Sequence, residues 1–178
     1  MKPRPSVLAV AVLISLGGGS GSFAQGLSKR LVGAWRLVAT EQRLSDGTTR
    51  PSPLYGPRGV GYLIYSDSGR MCAVLTDPQR ARWKSDEEPT EAELRSTIEH
   101  FVAYCGRYDV DEQQGFVVHH VEMDVVPNSI GTDLKRYVAL EGNRLTLRPA
   151  EKLAKGVVAY TLTWERVEGS AVGVTGGR

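Results

Sequence analysis

The sequence predicts an all-β protein: an eight-stranded antiparallel up-and-down barrel with one amphipathic helix inserted between the third and fourth strands. Two observations support this fold class. About eight segments alternate apolar and polar residues at period two, with turn-forming residues between them, whereas a single segment has helical spacing. Eight is also the strand number at which a closed antiparallel sheet encloses its own side chains or one small ligand.

The first predicted strand covers residues 31–40 and has an indole near its start. Alternation divides it into an apolar face with Leu31, Trp35, Leu37 and Ala39, and an opposite face with Arg36 and Thr40. Gly33 lies two residues before Trp35 and leaves room for another segment to approach the backbone closely. We expect the Trp35 ring to fill one end of the barrel.

The last predicted strand covers residues 157–167 and supplies a partner for that indole. Its even positions form an apolar face with Val158, Tyr160, Leu162 and Trp164, and Arg166 ends the same face. An arginine at the end of an inward-facing apolar row is expected to stack on an aromatic ring. The sequence therefore predicts that Arg166 covers Trp35 and that the two ends of the chain close the barrel.

The remaining elements follow from alternation and turn residues. A proline-rich loop over residues 50–59 is expected to form a lid, and the other strands are predicted at 60–66, 70–76, 106–110, 116–126, 132–140 and 144–148. Thr90 and Glu93 form a capping box at the start of a helix from Glu91 to about Tyr104. Its apolar residues recur at helical spacing, so we expect this helix to pack against the barrel.

The amino terminus has the three-part pattern of a secretory signal. A basic start with Lys2 and Arg4 precedes an apolar run over 7–16 and a small-residue stretch, which predicts cleavage after Ala24. An uncleaved anchor is the alternative, although the run is short for a bilayer span. The predicted organisation is a signal peptide at 1–24, a barrel at 25–167 and a Gly-rich flexible tail at 168–178, in a periplasmic or secreted protein.

Charge and motif content exclude several function classes. Removal of Lys2 and Arg4 from the 22 basic residues balances the 20 acidic residues, which argues against nucleic acid or an anionic membrane as a partner. The sequence has no phosphate-binding loop, no Gly-x-Ser-x-Gly and no zinc-type His spacing. We therefore expect no cofactor and no metal. Oligomeric state is left open.

Two cysteines, Cys72 and Cys105, fall on consecutive predicted strands that are separated by the helix. An oxidising compartment would permit a disulfide between them. Two buried free thiols are an equal alternative, because only geometry decides whether the Cα atoms lie within about 7 Å.

An ordered set of motifs resembles a known family. Its members are residues 31–38, 55–59, 61–65, 67–71, 104–108, 119–122, 127–128, 131–133 and 164–166, including Gly33, Trp35 and Arg166. Together they are similar to the bacterial and fungal lipocalin-like domain family, which is one of the calycin-type barrels. The resemblance extends over nearly all of residues 31–167. It implies a barrel with an interior cavity but no particular biochemical role.

Candidate ligand-binding residues come from the strand faces that could point inward. His119 and His120 are adjacent, so only one of them can enter the barrel. The face of His120 mixes apolar and acidic residues, which suits a cavity wall or a solvent face, and Glu122 on it could pair with the imidazole. Arg136 on an apolar face could meet a ligand carboxylate or pair with Glu122. The predicted ligand-binding set is Tyr62, Tyr65, Tyr108, His120, Glu122 and Arg136.

Three functions are consistent with these features. The first is an exported barrel that binds a small hydrophobic molecule in its interior. The second is an isomerase or cyclase in which an ionisable pair, such as His120 with Glu122 or Arg136 with a tyrosine, moves a proton in a dry pocket. The third is a structural or inhibitory module with a filled barrel and an exposed apolar patch at Leu54 and Tyr55.

Overall fold

A computed structural model describes residues 26–151 and 153–169. The predicted signal peptide at 1–24 and most of the predicted tail lie outside the described residues. The elements in chain order are α1 (Leu27–Leu31), β1 (Gly33–Leu44), β2 (Thr49–Pro51), β3 (Val60–Tyr65), β4 (Arg70–Thr76), α2 (Glu91–Glu99), β5 (Phe101–Asp111), β6 (Phe116–Asp124), a 3-10 turn (Pro127–Ser129), β7 (Asp133–Glu141), β8 (Arg144–Pro149) and β9 (Val157–Arg166).

Eight of these strands form a closed antiparallel barrel. The order of hydrogen-bonded neighbours is β1-β3-β4-β5-β6-β7-β8-β9, and β9 returns to pair with β1. The short strand β2 adds to the far part of β1 at the rim. The predicted eight-stranded barrel with a helix between its third and fourth strands is therefore confirmed, with β2 as an additional edge strand.

The two ends of the chain meet as predicted. Trp35 lies opposite Arg166 in the β1–β9 register, and the Arg166 guanidinium carbon lies 4.1 Å from the centre of the Trp35 ring. Arg166 also donates from Nη1 to the Val32 carbonyl at 2.8 Å and from Nη2 to the Arg30 carbonyl. A Cβ on Gly33 would lie 2.6 Å from Arg166 Nη1, so this glycine makes the close approach possible.

The beginning of the predicted first strand is corrected. Leu31 belongs to the short helix α1, not to β1. Helix α1 lies at the end of the barrel where Arg166 covers Trp35, which we call the closed end, and the Leu31 side chain is fully buried there. The Leu31 carbonyl accepts a 2.8 Å hydrogen bond from Trp35 Nε1. The Glu112 carboxylate accepts hydrogen bonds from the backbone amides of Leu27 and Ser28. These contacts satisfy amides that a first helical turn leaves without intrahelical partners.

A β-bulge reverses the predicted faces in the second half of β1. Leu37 pairs with Trp164, but the next pair is Ala39 with Thr163, so Val38 is an extra residue. Because one extra residue shifts alternation by one position, Thr40 is buried and Ala39 is not part of the buried core. The assignment of Ala39 to the inner face and Thr40 to the outer face is therefore wrong.

Helix α2 begins as predicted and ends earlier. Thr90 and Glu93 make both hydrogen bonds of the capping box. The helix ends at Glu99, and residues 101–104 belong to β5, where they pair with β4 and place Val102 and Tyr104 against the core. None of its residues is buried, and Leu94 and Ile98 remain about half exposed. The expected apolar packing of this helix on the barrel is therefore not observed.

The disulfide question is settled by register in the described structure. Cys72 and Cys105 lie directly opposite each other on β4 and β5, and their sulfur atoms are bonded at 2.10 Å. Their neighbours Met71 and Ala73 are buried, which places Cys72 on the outer face by alternation. The bridge therefore joins two strands from outside and takes no space in the lumen.

Candidate ligand cavity inside the barrel

A cavity of about 100 Å³ lies within the barrel, toward the end away from α1. Seven lining residues are apolar: Leu63, Ala73, Leu75, Val102, Leu147, Pro149 and Leu162. The others carry polar groups: Tyr55, Tyr104, His119, Arg136, Tyr160 and Trp164. Mostly apolar walls with a few polar groups are typical of small-molecule sites, although such sites usually have volumes of about 300–1,000 Å³.

His119 is the histidine that enters the barrel. It is 1% exposed, and its ring is hydrogen-bonded to Tyr65 at Nε2 (2.7 Å) and to Tyr104 at Nδ1 (2.9 Å). Burial, with smaller effects of Arg136 and His120, lowers the pKa of His119 to about 3. The imidazole is therefore neutral at pH 7. Because a neutral imidazole has one N–H and one lone pair, one tyrosine donates to it and the other accepts from it.

Arg136 brings a positive charge to the cavity wall. It lies on β7 with Leu134, Val138 and Leu140 on the same face, as predicted. Its Nη1 donates to both carboxylate oxygens of Glu151, at 2.5 and 2.6 Å, and to the Lys135 carbonyl at 3.0 Å. The sequence suggested Glu122 as its ion-pair partner, and Glu151 takes that place.

Trp164 contributes a donor without a partner. Its side chain lines the cavity and the residue is 2% exposed. The indole Nε1 makes no hydrogen bond to any residue within 26–151 or 153–169. A buried donor without an acceptor costs about 1–3 kcal/mol, so such groups are uncommon in native interiors.

The lid predicted over residues 50–59 contributes the cavity's cover. Tyr55 is 5% exposed and lines the cavity, whereas its neighbour Leu54 is 45% exposed. Burial raises the pKa of the Tyr55 hydroxyl far above its ordinary value. Ser52 is fully buried, and its hydroxyl accepts a 3.4 Å hydrogen bond from Tyr160 on β9. The exposed patch predicted at Leu54 and Tyr55 is therefore limited to Leu54.

The structure divides the predicted ligand-binding set between two surfaces. Arg136 lines the cavity. Tyr65 does not line it but is hydrogen-bonded to His119, which does. Tyr108 packs edge-on against Tyr65 with ring centres 4.8 Å apart, and its hydroxyl donates to the Ser66 carbonyl. Arg136 and Tyr65 therefore belong to the interior, whereas Tyr108 is partly buried and lies beside the hairpin turn between β3 and β4.

Tyr62, His120 and Glu122 lie on the outer wall, which corrects their predicted placement in the lumen. Tyr62 is 53% exposed because its β3 neighbours Leu63 and Tyr65 take the inner positions. His120 nitrogens hydrogen-bond to Asp133 and Asp109 at 2.6 and 2.9 Å. Glu122 pairs with Arg70 and Arg107. The acidic residues on this face of β6 therefore indicated solvent and not a polar cavity wall.

Five polar lining residues are absent from the predicted ligand-binding set: Tyr55, Tyr104, His119, Tyr160 and Trp164. Alternation had placed Tyr160 and Trp164 on the inward face of the last strand, but as part of its apolar row. For His119 a usable pattern was present, since its face of β6 also carries Val117 and Val121, both fully or nearly fully buried. A histidine flanked by valines at i−2 and i+2 is the better candidate for the inner face of a half-buried strand. No comparable pattern marks Tyr55, because it reaches the lumen from a loop.

Comparison with known proteins is consistent with this architecture. The family model described as the lipocalin-like domain matches residues 32–167. The chain belongs to the lipocalin-like domain family. Within the residues described, no three His, Cys, Asp or Glu side chains are grouped so as to hold a metal ion. A search of those same residues finds no helix with the length and hydropathy needed to cross a bilayer.

Two individual proteins are similar to this lipocalin-like chain. The 4'-hydroxy-3'-methoxypropiophenone carrier protein ppsC of Aspergillus oryzae is 34% identical over 86 residues, covering 44% of this chain and 78% of the relative. The solved structure of the lipoprotein YedD from Klebsiella pneumoniae matches with 14% identity and a TM-score of 0.35. That match covers 79% of this chain and 74% of YedD.

Proposed function

We propose that this lipocalin-like barrel binds a small, largely apolar molecule in its lumen, and that the guest contains one ring and a hydrogen-bond acceptor. The observation that carries the proposal is a mostly apolar cavity whose lining residues include Trp164, and the buried indole N–H of Trp164 has no acceptor within the described chain. An acceptor oxygen on the guest would recover the hydrogen bond that the folded chain leaves unmade. Apolar walls alone would not require any polar atom on the guest.

Cavity volume sets the size of the guest. An engineered apolar cavity of about 150 Å³ is enough to bind benzene. The lumen, at about 100 Å³, is smaller than that cavity, so a single ring would enter with a small displacement of a lining side chain and a long acyl chain only with a much larger one. A larger guest would require displacement of Tyr55, which reaches the cavity from a loop and not from a strand.

The name of the carrier relative suggests a chemical class for the guest. The ligand in its name is a one-ring aryl ketone with phenolic and methoxy oxygens. Transfer of that class to the present chain is part of the proposal, and it supplies a suitable first probe. Acetophenone is the smallest neutral aryl ketone with a single acceptor, so it tests ring binding with the fewest additional contacts.

Calorimetric titration of acetophenone tests the proposal. We expect one saturable site with a Kd on the order of 0.1 mM, given the small number of ligand atoms. Ala73→Leu fills the cavity from β4 and should weaken binding at least tenfold, whereas Ala139→Leu makes the same change at an exposed position and should not. Absence of saturable binding to the unaltered protein, or equal binding to both folded variants, would contradict a luminal site.

A second candidate function is proton transfer on the bound guest. The specific observation is the hydrogen-bonded row Tyr104–His119–Tyr65, in which Tyr104 and His119 both line the cavity. A neutral imidazole between two hydroxyls can accept a proton at one nitrogen and release one at the other. Exchange of the α-hydrogens of propiophenone in D2O, followed by NMR, should then be faster with the protein than with its Tyr104→Phe variant. Equal rates would leave binding as the only function of the cavity.

We also propose that the protein is exported, with a signal peptide at 1–24 and a Gly-rich tail at 168–178. The pattern of residues 1–24 and the Cys72–Cys105 disulfide support an oxidising destination. Intact-mass measurement of protein secreted by a bacterial host should show a chain that starts at Gln25. Retention of Met1 in the secreted fraction would contradict cleavage after Ala24.

A further inference from the structure

Arg136 is the one charged side chain among the described residues that line the cavity. The other titratable lining groups are His119 and three tyrosines, and these are neutral at pH 7 because burial lowers the pKa of His119 and raises that of Tyr55, Tyr104 and Tyr160. A single cation beside apolar walls interacts strongly with a nearby anion, since the effective dielectric constant there is below that of water. The positive charge of Arg136 therefore favours guests that carry a negative charge.

Glu151 is the present counter-ion of that arginine, and it comes from outside the barrel wall. It lies two residues beyond the end of β8, and its side chain is 40% exposed, compared with 14% for Arg136. The arginine is thus held largely by the interior while its partner is accessible to water. Because water solvates the exposed carboxylate, this ion pair is weak. The anionic group of a guest can therefore displace Glu151 from Arg136.

The guanidinium also has donors to offer. The hydrogen bonds of Arg136 to Glu151 and to the Lys135 carbonyl all use Nη1. Nη2 and Nε carry the remaining N–H groups of the fork, and this planar arrangement matches a carboxylate. Burial raises the pKa of the Tyr104 hydroxyl, and the charge of Arg136 and a side-chain hydrogen bond from it oppose that rise. A guest oxygen at Arg136 would therefore also lie near a cavity hydroxyl.

We infer that the lumen selects one-ring guests that carry an acidic oxygen, a carboxylate or phenolate, which binds Arg136 in competition with Glu151. This inference rests on the proposed luminal binding function and specifies its ligand class. Glu151 then acts as a specificity-determining residue: it lowers affinity for anions without touching the part of the cavity that holds the ring. Neutral guests do not compete with Glu151 and are bound without regard to it.

The test compares benzoate with acetophenone by calorimetry at pH 7 and fixed ionic strength. The two probes have the same ring and similar size, and only benzoate is charged. We expect Glu151→Gln to raise benzoate affinity about tenfold and to change acetophenone affinity less than twofold. Arg136→Gln should weaken benzoate at least tenfold and leave acetophenone bound. Two control variants make the same substitutions at exposed positions, Glu141→Gln and Arg148→Gln, and neither should alter the affinity for benzoate or acetophenone.

Each outcome bears on a different statement. If Glu151→Gln leaves benzoate affinity unchanged, or changes both probes equally, the competition at Arg136 is contradicted while luminal binding stands. Binding of acetophenone but not benzoate to the Glu151→Gln variant would likewise overturn the acidic-guest inference. If neither probe binds any of these proteins, the proposed function itself fails, and the ligand class fails with it. Should Arg136→Gln not fold, the Glu151→Gln variant alone decides.

Discussion

Arg166 joins the two ends of the chain through three different interactions. It lies over the Trp35 ring and donates to the carbonyls of Val32 and Arg30, which lead into β1 and belong to α1. Lysine cannot reproduce this set, because its ammonium lacks the planar fork. A single side chain thus holds α1, β1 and β9 together at the closed end of the barrel.

Removal of this side chain should weaken the fold more than removal of a surface arginine. We expect Arg166→Ala to lower the free energy of unfolding by about 2–4 kcal/mol, from the loss of the cation–π contact and of two hydrogen bonds to partly buried carbonyls. Arg36→Ala breaks an ion pair with Glu165 between half-exposed side chains and should cost less than about 1 kcal/mol. Urea denaturation measures both, and equal losses would contradict the assigned role of Arg166.

The buried imidazole of His119 should make stability depend on pH. Its pKa is lowered to about 3, so between pH 6.5 and 3 the unfolded chain binds a proton that the folded barrel does not. The free energy of unfolding therefore falls as pH decreases through this window, by at most about 1.4 kcal/mol per pH unit from this group. His119→Gln should make the fall shallower, as measured by urea denaturation at each pH.

The adjacent His120 provides a control of opposite sign. Hydrogen bonds to Asp133 and then Asp109 raise the pKa of His120, so the folded state retains its proton above pH 6.5. Its stabilising contribution is present below pH 6.5 and is lost as pH rises through the folded-state pKa. His120→Gln should lower the free energy of unfolding below pH 6.5 and remove its fall on the alkaline side, and it should not change the slope between pH 6.5 and 3. A similar effect of both variants would contradict the buried and exposed assignments.

At the scale of elements, the Cys72–Cys105 bridge ties β4 to β5 across the long α2 connection. The two residues are separated by 33 positions, so the bridge closes a large loop in the unfolded chain. Chain-entropy estimates for such a loop give about 3–4 kcal/mol of stabilisation. Addition of reductant should lower the free energy of unfolding, measured by urea denaturation, by that amount. The Cys72→Ser/Cys105→Ser variant should match the reduced protein and should not respond to reductant.

Gly106 allows β5 and β6 to approach at a bulge. Cys105 pairs with Met123 and Gly106 with Val121, which leaves Glu122 as the extra residue. A Cβ at Gly106 would lie 1.9 Å from the His120 carbonyl oxygen, so Gly106→Ala must move a strand. We expect a loss of at least about 2 kcal/mol in urea denaturation. Gly169→Ala meets no atom within 4 Å and should be neutral, and neutrality of both would contradict the bulge geometry.

These bulges mark where sequence reasoning about elements stops. Alternation identified the strands and their two faces, and Thr90 with Glu93 identified the start of α2. Alternation cannot reveal an extra residue such as Val38 or Glu122, because a bulge is set by pairing with a distant strand. Alternation also does not state which face points inward. On β6, Glu122 was included in the predicted ligand-binding set, whereas it pairs with the exposed arginines Arg70 and Arg107.

At the scale of the whole molecule, the barrel could be predicted because the two residues of its closing contact stand out in the first and last strands. Trp35 and Arg166 are conspicuous in otherwise alternating strands, and they meet as expected. The composition of the cavity could not be predicted to the same extent. It depends on Tyr55 from a loop, on the inward face of β6 and on Trp164 lacking an acceptor among the described residues, all of which are tertiary properties.

The indole N–H resonances of the three tryptophans give the most direct test of luminal binding. Trp35 Nε1 donates to the Leu31 carbonyl and Trp83 Nε1 to the Thr97 hydroxyl, whereas Trp164 Nε1 has no acceptor in the described chain. In a ¹⁵N–¹H correlation spectrum titrated with acetophenone, luminal binding predicts that the Trp164 N–H signal moves downfield and saturates while the other two stay in place. Saturable binding that leaves the Trp164 signal unmoved would contradict it.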